Sequence, residues 1–200
     1  MKRVILLFVV CICSAMILSA QQVESPEVPD LNFDFEPIRV GDQYVRIGLG
    51  MTFPMWIHGP DGFNSETNIF PGGTGYIGFA RYITPRISLG GELSFVFNTT
   101  VGENMFFSLP MLARISRVFV LKNLHFPVSL GIGGAFQSYN GINHFSFAVK
   151  PEVGVWYQFS HEWSFGISGG MLVLPQFYEN TDFNRTGIFL DTVASVRYHF

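Results

Sequence analysis

Seven charged residues stand in stretches that are otherwise apolar or built from small side chains: Arg46, Glu92, Arg114, Lys150, Glu152, Asp191 and Arg197. Four are basic and three acidic. A charge removed from water costs several kcal/mol unless it is paired, so mutual pairing is the chemistry these types allow. Lys150 and Glu152 are two residues apart, which puts them on one face of an extended strand. Two behaviours are open to such a set: a fixed salt-bridge network that plugs an interior, or a switchable gate in which Glu92 trades partners. His144-Phe145-Ser146 also brings a base and a hydroxyl nucleophile to one strand face. Hydrolysis would need an orienting acid within hydrogen-bond reach. His144 and Ser146 share parity with Lys150 and Glu152, and no acid is placed on the opposite face. The expectation is therefore not an enzyme. His58, His125, His144, His161 and His199 are scattered without ligand spacing, so no metal and no cofactor are expected.

The elements that carry these residues alternate with a period of two. In 45–57 the odd positions read Val45, Ile47, Leu49, Met51, Phe53, Met55, Ile57. In 145–159 every odd position is apolar, and the even ones include Ser146, Ala148, Lys150, Glu152 and Gly154. The pattern recurs in 87–97, 105–117, 127–136, 163–174 and 187–200. Residues 74–83 are ambiguous, and Arg81 fits either face. The count is eight strands, mostly about 10–15 residues long, against about 5–6 in soluble domains and about 9–11 for tilted membrane strands. Turns at 84–86 and 160–162 are tight and 118–126 is intermediate. The segments 58–73, 98–104, 137–144 and 175–186 are longer and polar. Short turns at one end and long loops at the other predict an all-β, eight-stranded antiparallel up-and-down transmembrane barrel over 41–200.

Composition agrees. The chain is 48% hydrophobic and 14% charged, against about 25% charged in soluble domains. Its 12 Lys+Arg are outnumbered by 15 Asp+Glu, which argues against nucleic acid as a partner. Lys2 and Arg3, the apolar run Val4–Leu18 and the small residues before Gln21 predict a cleaved signal peptide at 1–20. Cys11 and Cys13 fall inside it, and Val10 and Ile12 precede them where a lipidated cysteine needs a small residue. Residues 21–40 form a Pro-containing tail, with five acids and no Lys or Arg between Gln21 and Glu36. An even strand count puts this tail and the C-terminus on the same side, expected to be periplasmic.

The two faces of the strands differ in size. One carries large apolar side chains, with Phe53, Phe97, Phe107, Tyr157, Phe159, Trp163, Phe165, Tyr198 and Phe200 near strand ends, as interfacial girdles do. The other carries Gly, Ser, Thr and the charges. In a soluble barrel the large face would be inside. An eight-stranded barrel has an interior only just wide enough for side chains, so the small face must be inside and the large face must meet lipid. An inward apolar set is also expected: Trp56, Phe106, Leu112, Trp156 and Phe189, with Val96 and Leu172, mostly in the half away from the periplasm. These either pack the lumen or form a greasy funnel. Pro54, Pro110 and Pro151 cannot donate ladder bonds, so each predicts a bulge or a gap in the wall. Gly133→Trp is a natural first choice for closing the lumen.

The chain ends Val193-Ala194-Ser195-Val196-Arg197-Tyr198-His199-Phe200. The terminal Phe, with Tyr198 and Val196 before it, resembles the C-terminal signal of bacterial outer-membrane barrels. The resemblance implies that Val196, Tyr198 and Phe200 are read by the barrel-assembly machinery. Signal peptide, eight strands and terminal Phe together are similar to the small barrels that include OmpX, OmpW and the OmpA membrane domain. Phe107-Ser108-Leu109-Pro110-Met111 resembles a strand of the OmpW-like branch, which implies a lateral exit into lipid. The expected setting is a bacterial outer membrane, with its lipids as partners. The leading function is a structural barrel or a narrow or lateral path for small hydrophobic molecules, with no wide channel. The second is a surface-interaction, adhesin-like barrel that binds host molecules with loops carrying Phe63, Phe70, Phe177 and Tyr178. The third is a lipid hydrolase, because His144 and Ser146 resemble the pair of outer-membrane lipid A deacylases.

Overall fold

The structure is a computed structural model that describes residues 38–58, 64–65, 68–100, 102, 104–139, 141–177 and 184–200. The chain divides into two units, Met1–Phe33 and Asp34–Phe200. The expected signal peptide and all but the last three residues of the expected acidic tail lie outside the described residues, as do Phe63 and Tyr178.

Eight long strands follow one another: β1 Gln43–His58, β2 Ile69–Thr84, β3 Ile87–Thr100, β4 Met105–Leu121, β5 Leu124–Tyr139, β6 Ile142–Gln158, β7 Trp163–Gln176 and β8 Arg185–His199. Each pairs antiparallel with the next, and β1 pairs with β8 from Tyr44↔His199 to His58↔Thr186. The sheet therefore closes on itself. Closure satisfies every edge by hydrogen bonding, which is the requirement lipid imposes on a β structure. A further two-residue strand, Asn64–Ser65, pairs antiparallel with Ile57 and His58 at the end of β1.

The faces separate by size as the alternation requires. Leu49, Ile77, Leu93, Met111, Ile132, Phe147, Ile167 and Leu190 point out and are all more than 40% exposed. They form one continuous apolar surface around the barrel. Soluble monomers rarely expose apolar patches beyond a few hundred Å², so the solvent of this face is hydrocarbon. At the end that carries the tight turns, Phe79, Phe200, Tyr198 and Trp163 form a chain of ring contacts at 6.4, 6.0 and 4.9 Å. Tyr157 and Phe159 flank Phe165 in the same belt. Arg81, ambiguous in the sequence, lies on the outer face.

Two of the expected long loops are short. β3 and β4 are joined by 101–104, and β5 and β6 by 140–141. In the second, Gly141 takes φ 77°, the left-handed conformation that a two-residue turn demands and glycine supplies. The stretch 118–126 tightens as well, to Lys122-Asn123, with Lys122 at φ 56°. Polar side chains at 137–144 suggested a loop, but alternate ones point into the lumen. The long connections at the opposite end are 59–68 and 177–184.

The prolines interrupt the wall. A bulge lies between Pro54 and Trp56 in the β1–β8 ladder. The β3–β4 ladder lapses between Leu93↔Met111 and Val96↔Ser108, beside Pro110. The β6–β7 ladder lapses between Val149↔Val173 and Glu152↔Gly170, beside Pro151. The β5–β6 ladder lapses between His125↔Trp156 and Val128↔Val153, beside Pro127. Gly133 does not suit a lumen block. A Cβ there would abut the Met111 carbonyl and lie 3.0 Å from Leu112 Cα, so substitution would push β4 and β5 apart before it filled any space.

Candidate functional site

The lumen has three layers. The middle one holds charge. Glu92 on β3 accepts from Arg114 Nη1 at 3.0 Å and Lys150 Nζ at 3.2 Å, and it also pairs with Arg46. Glu152 takes Arg46 Nη1 at 3.0 Å and Arg114 Nη2 at 2.6 Å, with Lys150 at 3.8 Å. Asp191 lies 3.5 Å from Lys150 Nζ. Ser94 donates to Glu92, while Ser116 and Ser129 accept from Arg114. All six charged side chains are at most 7% exposed. Five strands contribute, so the cluster cross-links the barrel through its centre.

The sequence makes room for it with glycine. Across the ladders Arg46 and Glu92 both face Gly78, Arg114 faces Gly90 and Gly131, and Lys150 faces Gly131. Glu152 and Asp191 both face Gly170. A Cβ on Gly78 would stand 3.1 Å from Arg46 Nε, and one on Gly170 would stand 3.3 Å from Lys150 Cε. The inward glycines thus leave the space into which long charged side chains bend. Tyr76, which the sequence left unassigned, packs against the cluster. The Arg46 guanidinium sits 4.2 Å and Lys150 Nζ 5.5 Å from its ring centre.

Above the charges, towards the long loops, is an apolar layer of Val96, Phe106, Leu112, Ala135, Ala148, Leu172, Leu174 and Phe189. Phe106 and Phe189 stack at 5.4 Å. Below the charges, at the turn end, Tyr44, Ala80, Tyr82 and Val118 form a second cluster. Trp156 and Arg197 sit against it.

Three expected site residues are placed differently. Trp56 does not join the apolar layer. The bulge after Pro54 shifts the register, so Trp56 pairs with the buried Ile188 and is itself half-buried. Trp156 is inward and fully buried but lies at the turn end, 3.8 Å from the Arg197 guanidinium. Arg197 makes no ion pair with the central carboxylates; its guanidinium is held between Trp156 and Tyr44. Phe106, Leu112 and Phe189 fall together in the apolar layer. Val196, Tyr198 and Phe200 lie on the outer face of β8 and beyond its end, all exposed. His144 and Ser146 are on the lumen side of β6. Ser146 is bonded by the Gln137 amide, which in turn accepts from Gln176 at 2.6 Å.

On the outer face of β3–β4, at the level of Glu92, lies a groove lined by Val45, Ile77, Phe79, Leu93, Met111 and Ala113, with Gly90, Gly91 and Glu92 at its base. Gly91 provides no side chain where its neighbours on the outer face are large. Leu93↔Met111 is the last registered pair before the lapse beside Pro110, and Val96, Ser108 and Leu112 line the inside of the same stretch.

A closed eight-stranded barrel with a lipid-facing exterior and a charge-plugged lumen defines a small transmembrane barrel of the outer-membrane type. A protein-family model matches residues 23–198. A protein of Treponema pallidum (strain Nichols) is 30% identical over 190 residues, which are 90% of this chain and 87% of that protein. The chain belongs to the family they define. Among solved structures, Neisserial surface protein A (NspA) superposes with a TM-score of 0.57 at 14% identity, covering 80% of this chain and 99% of its own. The outer membrane protein OprG from Pseudomonas aeruginosa gives 0.57 at 12% identity, covering 84% and 99%. These two share the fold.

Proposed function

We propose that this protein is an outer-membrane barrel that gives small apolar molecules a lateral path, from the loop end of its lumen through the β3–β4 wall into lipid. The observation that carries the reading is the coincidence at one place of three features. The ladder lapses beside Pro110, the apolar layer of the lumen lies behind the lapse, and an apolar groove on the outer face reaches it at Leu93 and Met111. The ion-pair layer beneath closes the straight route, because an entering molecule would have to part charges that are cross-linked by seven contacts. The reading includes export by a signal at 1–20, a periplasmic tail at 21–40, and insertion by the barrel-assembly machinery acting on Val196, Tyr198 and Phe200.

The test is entry of the apolar dye N-phenylnaphthylamine into host cells whose own outer membrane excludes it. Production of the chain should raise the rate of dye entry several-fold. Ala148 is fully buried in the apolar layer, and Ala148→Trp should return the rate to that of cells lacking the protein. Folding of the variant is checked by its faster migration before boiling. A folded Ala148→Trp barrel with undiminished dye entry would overturn the transport reading. One observation favours the surface-interaction reading instead: Phe70 and Phe177, at the loop end, are 52% and 69% exposed. Shortening the 59–68 and 177–184 connections should leave dye entry intact; loss of host-cell binding without loss of dye entry would favour interaction.

A further inference from the structure

The charges of the lumen do not cancel. Arg46, Arg114 and Lys150 meet Glu92, Glu152 and Asp191, three cations with three anions. Arg197 is left over. It is 1% exposed, and no described carboxylate lies within ion-pair distance of it. Its Nε and Nη1 have no hydrogen-bond partner. Its neighbours make matters worse: in the β1–β8 ladder Arg197 stands directly opposite Arg46, and like charges placed so repel. The rings of Trp156 and Tyr44, at 3.8 and 4.5 Å, offer it their π faces. Such faces stabilise a desolvated cation only partly, and an uncompensated buried charge is costlier than they offset.

The surroundings are rich in donors, and the described acid that acts on them, Asp42 on Tyr82, does not pair with Arg197. The Tyr82 hydroxyl, His125 Nδ1 and Trp156 Nε1 are buried without hydrogen-bond partners. Arg197 acts electrostatically on Tyr44, Tyr82, His125 and His199, so all four lie within its field. His199 is engaged by the Ser164 hydroxyl at 2.9 Å, and Tyr44 by that of Ser88 at 3.1 Å. Among the described residues Arg197 has no counter-ion within ion-pair distance.

We propose that the turn end of the lumen is a binding site for a small inorganic anion of halide type. Arg197 supplies its charge, and the faces of Trp156 and Tyr44 hold the guanidinium in place. The site is separate from the apolar path, because the ion-pair layer lies between them.

Iodide tests this directly, since it is a small anion and quenches tryptophan on contact. The full chain carrying Trp56→Phe and Trp163→Phe, refolded in detergent, keeps Trp156 as its one tryptophan. Iodide should quench it along a saturating curve. Chloride at matched ionic strength should reverse the quenching, and gluconate, too large to enter, should not. Arg197→Met should abolish the saturating component. Quenching that stays linear in iodide, is absent, or is unchanged in Arg197→Met would overturn the site. The chloride and gluconate arms use Arg197 intact, so they decide the question even if Arg197→Met does not refold.

Discussion

Glu92→Ala is expected to destabilise the barrel by about 3–5 kcal/mol, the range for removing one partner of a buried ion pair. Glu92 receives Arg46, Arg114 and Lys150. Without it those three cations share Glu152 and Asp191, and one positive charge in the middle of the lumen loses its counterpart. The double variant Glu92→Ala/Arg114→Ala restores the balance at two cations and two anions. Its loss should fall short of the sum of the two single losses by at least about 1 kcal/mol, because the paired residues are coupled. Urea titration of the chain refolded into lipid vesicles measures all three. Additive losses, or a Glu92→Ala barrel as stable as the parent, would show that the cluster is solvated rather than cross-linked.

Ile132→Arg is the second large effect. Ile132 is outward on β5, 44% exposed, and paired with Ala113 and Val149 near the middle of its strand. On a water-facing surface such a change would alter stability by no more than about 0.5 kcal/mol. On the lipid face of a barrel, at mid-depth, arginine costs about 2–4 kcal/mol. The same urea titration in vesicles reads the difference. A neutral result would mean that the large apolar face does not meet hydrocarbon.

The architecture was legible because two requirements act on every strand at once. Lipid demands large apolar residues at alternate positions, and a narrow lumen demands small or paired ones between them. Strand 145–159 shows both, with Trp156 the one large apolar residue on its inner side, and its Lys150 and Glu152 stand in the central cluster. The ends were harder to read. Polar side chains at Gln137 and His144 resembled a loop because a lumen-facing polar residue and a loop residue look alike in sequence; the Asn140-Gly141 pair was the signal for a tight turn. Residues 74–83 concealed Tyr76 and Tyr82, since aromatic rings alternate there with Ile77, Phe79 and Arg81 and neither parity looks polar. At Trp56 a single bulge shifts the pairing register, which a strict period of two does not reveal. Arg197 shares the parity of the other lumen charges, but parity fixes a face and not a depth. Its position toward the turn end follows from pairing between β1 and β8, the strands furthest apart in the chain.

The lateral path is tested most directly by pinning the wall. The only cysteines, Cys11 and Cys13, lie in the expected signal, so Leu93→Cys with Met111→Cys introduces one cross-strand disulfide, at the last registered pair beside the lapse. Entry of N-phenylnaphthylamine is then followed in the oxidised and the reduced barrel. The account predicts that oxidation stops dye entry and that dithiothreitol restores it. Equal rates in the two states, with the disulfide shown to be formed, would contradict a path through β3–β4.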